Sequence, residues 1–167
     1  AGLVPPFSDF FYAILSHYRI HALHLQPISI LVLAIFAFYC EAFVDVRPSV
    51  ALFRHFFSLR FTVQDQRFAC VSFVDVKDEN ICLKARNKVE GYRQRWVFME
   101  ARRVSLLLMT HAALSEQNPR WGHEKLDDPR AEPILERIAA HGDAKLTGAM
   151  IIKEFLGQRI APLQAHS

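Results

Sequence analysis

The densest set of chemically capable residues in this chain is basic. Lys84, Arg86, Lys88, Arg93, Arg95, Arg102 and Arg103 stand against only Glu90 and Glu100, with Tyr92, Trp96 and Phe98 interleaved. Cationic side chains neutralise phosphates and aromatic rings stack on bases, so the stretch is a candidate for binding DNA or RNA. Its ordinary reading is a solvated strand-and-loop face whose aromatics point into the core.

Three further groups carry weaker signals. His17, His21 and His24 are spaced i, i+4 and i+7 and would share a helix face able to hold a metal. No carboxylate stands near them in sequence and Pro27 ends the segment, so a solvated or packed histidine cluster is expected. Asp75, Asp78 and Glu79, and then Asp127, Asp128 and Glu132, are local acidic groups. A metal-dependent nuclease or strand-transferase would need Asp75, Asp78 and Glu132 brought together from separate elements, and Asp128 already suits a helix cap. Cys40, Cys70 and Cys82 match no zinc template, and cysteines in apolar runs usually fill a core. With no Gly-rich phosphate loop, GxSxG, HExxH or kinase signature, the usual grounds for an enzyme or a cofactor are missing. Neither a metal nor a cofactor is expected.

The elements that must position these groups are mostly helical. Ser8 caps a helix from Asp9 that puts Phe11, Ile14, Leu15 and Tyr18 on one face. A His-rich link precedes an apolar helix from Pro27 to Phe43, whose only polar residue between Ile28 and Cys40 is Ser29. The run is shorter than a bilayer needs, ends in Glu41 and lacks basic flanks. It is therefore expected to be a buried helix, with no membrane partner. Pro48 opens the next helix, with Val50, Leu52, Phe53, Phe56 and Phe57 as its apolar faces. Alternation in Ala69–Lys77 marks a strand, and Arg95–Ala101 is a candidate partner. Asp128 and Pro129 start a helix with an Ile134, Leu135, Ile138 stripe that stops near Gly142. Thr147 caps another, with Met150, Ile151, Phe155 and Leu156 expected to face inward. The fold class is α+β: a single domain over residues 1–167, helical at 8–60, β-containing at 68–102, with C-terminal helices at 128–158.

Bulk properties agree with this outline. The chain is 51% hydrophobic and 22% charged, which permits a sizeable core, and its fourteen Phe gather before position 74. A net charge of +3 is too small to imply nucleic acid alone. Three cysteines without a CxxC imply no disulfide framework and predict a reducing, intracellular setting, cytoplasm or nucleus. Starting at Ala1 without Met, the chain reads as a fragment or processed piece.

The block from Gly2 to Arg60, with HYRIHALHLQPISI, CEAF and RHFFSLR, resembles the N-terminal domain of gypsy-type transposon proteins of plants, known from grass genomes. RWVFMEA, KLDDPRAEPILERI and LTGAMIIKEFLGQRIAPLQAHS are similar to that family's later segments, so the resemblance spans nearly the whole chain. It implies a retrotransposon-associated module and brings no catalytic residues with it. The chain has no DTG or DSG protease motif, no YxDD and no zinc-knuckle box, so the implied module is gag-like, not one of the element's enzymes. The expected partners are further copies, other element-encoded proteins, or DNA or RNA. The competing readings are the carboxylate-metal enzyme and a degenerate remnant without activity.

Overall fold

The computed structural model describes residues 8–64, 68–76 and 118–164. Helix α1 spans Asp9–Tyr18, and Ser8 Oγ accepts the Phe11 N–H at 3.2 Å as its cap. Arg19 ends it in the left-handed region, at φ 51°. Since α1 stops there, His17 shares no continuous helix face with His21 and His24. Those two lie on a 3-10 turn, Ala22–His24, and act as its capping groups: His21 Nδ1 accepts from Leu23 N–H and His24 Nδ1 from His21 N–H, each at 3.1 Å.

Helix α2 spans Pro27–Tyr39, opened by its proline, and widens into a π turn over Cys40–Val44 that Asp45 closes at φ 56°. Pro27–Val44 is long and apolar enough, by length and composition, to cross a membrane, and half of it is buried inside the protein. Its buried face includes Leu33, Ile35, Phe36, Tyr39 and Cys40, whereas Ile30, Leu31, Ala34 and Ala37 are only partly covered. Phe38 is buried as well, on the side opposite Ser29, and no residue of Pro27–Tyr39 is exposed, so the helix is covered on most sides, as expected.

Helix α3, Val50–Phe56, begins two residues later than Pro48 suggests, because Ser49 supplies the cap by accepting the Leu52 N–H at 3.2 Å. The chain then departs from the expected helix through residue 60. Strand β1 runs Phe57–Gln64 and pairs antiparallel with β2, Phe68–Asp75, with Phe57 opposite Asp75 and Leu59 opposite Phe73. Phe57, Leu59 and Phe61 alternate with Ser58 and Arg60, a period of two that suits a half-buried strand. The proposed partner strand Arg95–Ala101 lies outside the described residues; among those described, β2 pairs with β1.

The far edge of β2 is closed by the start of α2. Gln26 N–H donates to the Val71 carbonyl at 3.1 Å and Leu25 forms a parallel bridge with Val71. Ser29, fully buried, accepts the Phe73 N–H at 3.3 Å and reaches the Val71 carbonyl at 3.5 Å. The single polar residue of the apolar run therefore completes a strand edge that would otherwise be buried unpaired.

Phe53 is the hub of the core. Its ring meets Phe57 stacked at 4.6 Å, and Phe73 and Phe36 edge-on at 4.8 and 5.1 Å, with Phe10 beyond. Helix α4, Glu132–Asp143, follows a 3-10 turn, Pro129–Ala131, that Asp128 caps as expected; only Ile138 of its stripe is fully buried. Helix α5, Gly148–Phe155, is capped by Thr147 and continues through a π turn, Leu156–Ile160, into Ala161–Gln164. Ile151 and Phe155 face inward, but Met150 and Leu156 are 53% and 47% exposed. The core contact falls at 151 and 155, one turn apart, and turns 150 and 156 away from it. Phe155 packs on Phe38, and Arg159 lies 6.0 Å over the same ring while bridging Glu41 at 3.2 Å.

Candidate functional site

Polar chemistry among the described residues gathers along a strap, residues 118–126, that crosses α1, α3 and β1. Asn118 Oδ1 accepts the Arg120 N–H at 3.0 Å and starts a 3-10 turn, Pro119–Trp121. The turn carries the Trp121 indole inward, 5% exposed, where Nε1 donates to the Tyr18 carbonyl at 3.0 Å. This satisfies one of the carbonyls that the end of α1 leaves over. Glu124 pairs with the Arg54 guanidinium, and its N–H donates to the Arg54 carbonyl at 3.3 Å. Leu126 N–H donates to Nδ1 of the buried His55 at 3.1 Å, which places that neutral ring's proton on Nε2.

Beneath the strap lie His17, Tyr18 and Arg54. Burial pushes the Tyr18 phenol up to about 12, and the adjacent Arg54 opposes it. Burial also lowers the His17 imidazole, helped by the charges of Arg54 and Arg120 and opposed by Glu124. Among the described residues, Tyr18 Oη, Arg54 Nε and His17 Nε2 are buried and find no hydrogen-bond partner. At neutral pH this cluster is a neutral imidazole, a protonated phenol and one ion pair. That arrangement joins the strap to α1 and α3.

On the other side of Trp121 the strap and β1 enclose an open groove of about 570 Å³, lined by Ser58, Leu59, Arg60, Phe61, Asn118, Trp121 and Gly122. Residues from both faces of β1 contribute, so the groove follows the strand's edge. Phe61 and Trp121 lie nearly parallel, 22° apart with centroids at 6.4 Å. Arg60 and Arg120 are exposed, as is Arg19, which follows the carbonyl that receives the Trp121 N–H. Among the described residues no carboxylate pairs with Arg19, Arg60 or Arg120.

The basic candidates Lys84, Arg86, Lys88, Arg93, Arg95, Arg102 and Arg103 lie outside the described residues, as do Asp78, Glu79 and Cys82. Asp75 ends β2, Glu132 opens α4, and Asp128 is engaged with Arg130, which holds its carboxyl below the usual range. Among the described residues no three His, Cys, Asp or Glu side chains converge as a metal site. Cys40 and Cys70 are buried, and burial, with Glu41 adding to it, pushes the Cys40 thiol up to about 12. The groove was missed in the sequence because NPRWG sits in a loop-like stretch. The available signal was a lone Trp behind an Asn-Pro turn, in a segment otherwise polar.

Residues 1–61 match the family model described as "Putative gypsy type transposon". The match covers α1 to the middle of β1, including Arg19, Arg54 and Arg60, and ends before the strap. No curated protein and no solved structure gives a significant match to the chain.

Proposed function

We propose, on the premise of the gypsy-type transposon domain that residues 1–61 match, that the chain is a non-enzymatic, element-derived module that binds nucleic acid. The observation carrying this reading is that Arg19, Arg60 and Arg120 are exposed and, among the described residues, without carboxylate partners, with Arg60 and Arg120 beside the stacked Phe61–Trp121 pair. Exposed guanidinium groups can contact phosphates, and the basic residues between 84 and 103 would add to them. Such binding releases counterions and weakens steeply with salt. Anisotropy titrations of labelled single- and double-stranded DNA and RNA at about 50 and about 200 mM salt test it. Affinity that falls as salt rises is the expected result. No binding at the lower salt overturns it.

A second reading, gag-like assembly, draws on Met150 of α5 and Leu156 of the π turn that continues it, large apolar side chains left exposed. Two such residues so near each other suit a contact with another copy. Light scattering across a concentration series would give a mass rising above 19.2 kDa if this reading holds, and a constant monomer mass would remove it.

A further inference from the structure

We infer that the groove between β1 and the strap receives one unpaired nucleotide of a single-stranded nucleic acid, its base against Phe61 and its phosphate toward Arg60. The inference rests on the nucleic-acid reading above and gives it a site. The groove's volume, about 570 Å³, lies in the range of a small-ligand pocket. A duplex would have to release a base from its stack before the groove could hold it, so a single strand is favoured.

The walls supply what a nucleotide needs. Phe61 is half-buried and backed by Trp121, so its ring is a fixed platform and not a mobile side chain. Trp121 is itself held by its bond to the Tyr18 carbonyl, and the strap by Glu124 on Arg54. Ser58 lines the groove, and Asn118, whose Oδ1 accepts from Arg120, has an amide NH2 that can donate. Among the described residues no carboxylate lines the groove, Arg60 does, and Arg120 lies next to Trp121 in the same turn. The charge balance therefore favours a phosphate-bearing occupant over an acidic or neutral peptide.

The test uses the whole chain carrying Trp96→Phe, which leaves Trp121 as its only indole. A short oligothymidylate should quench Trp121 fluorescence, and the matching duplex should bind less tightly. Arg60 is exposed, so Arg60→Ala and Arg60→Glu should melt like the parent. Arg60→Ala should flatten the slope of log K against log salt by about 0.7, and Arg60→Glu should weaken binding about tenfold or more. Phe61→Leu should weaken it about fivefold or more, and Arg60→Glu decides the matter if Phe61→Leu lowers the melt. The groove assignment is overturned if Arg60→Glu binds as tightly as the parent while Arg93→Glu with Arg95→Glu abolishes binding. That result leaves the nucleic-acid function standing. It is likewise overturned if the duplex binds as well as the single strand, or if an extended peptide quenches Trp121 and the oligonucleotide does not. Absence of any nucleic-acid binding at low salt removes both the site and the function.

Discussion

Ser29→Ala tests how the apolar helix is joined to the sheet. The substitution removes only the Oγ that accepts the Phe73 N–H and reaches the Val71 carbonyl. Val71 keeps its bond from Gln26 N–H, so the net loss falls on the Phe73 amide, left buried without an acceptor. An orphaned buried N–H costs about 1–3 kcal/mol. Ala is the better helix former by about half a kcal/mol, which offsets part of this. At 3.3 and 3.5 Å the two bonds are long, which favours the lower end. The expected net cost is about 0.5–1.5 kcal/mol, or about 1–6 °C in Tm for a chain of this size. Hydrogen exchange followed by NMR should show the Phe73 amide losing protection while its neighbours keep theirs. A melt within about 1 °C of the parent, with that amide still protected, would refute the claim that Ser29 closes the strand edge.

Phe53→Ala should cost about 3–5 kcal/mol in urea unfolding, since a fully buried ring with four aromatic neighbours is lost; a cost below about 1 kcal/mol would misplace the hub. His17 has a folded pKa below its unfolded 6.5, so the unfolded chain binds more protons as pH falls. Stability should drop as pH is lowered through about 6.5 toward the folded value, and His17→Gln should flatten that part of the Tm–pH curve; identical curves would contradict the burial of this ring. Cys40, its thiol pushed up to about 12 and fully buried, should resist iodoacetamide in the native protein and react once urea unfolds it, as peptide mass spectrometry would read.

The helices legible in the sequence were those whose caps and stripes agreed. Ser8 before α1, Asp128 before the turn that leads into α4 and Thr147 before α5 each satisfy a backbone donor that local chemistry alone can identify. β1 was hidden because RHFFSLRF reads equally well at period 3.6 or 2, and only pairing with β2 chooses between them. The exposure of Met150 and Leu156 was unreadable for a similar reason: a stripe shows which residues are apolar, but the docking of Phe155 on Phe38 sets its rotation. Of the site, the arginines and aromatics were visible as types. That Trp121 would cross the chain to Tyr18 and stack on Phe61 depends on contacts 103 and 60 positions apart in sequence, which no local pattern encodes.

The stitches between early and late parts of the chain bear on what the family-matched portion could form by itself. The carbonyls of Tyr18 and Val44 are capped by Trp121 and Arg137, Tyr39 holds His141 at 3.0 Å, and Phe38 is roofed by Phe155. A gene fragment encoding only the family-matched portion would yield a polypeptide with an open flank of aromatic rings and uncapped helix ends. The stretch that matches the family model is therefore shorter than the stretch that closes its own core: its helix ends and aromatic flank are completed by side chains from beyond residue 120.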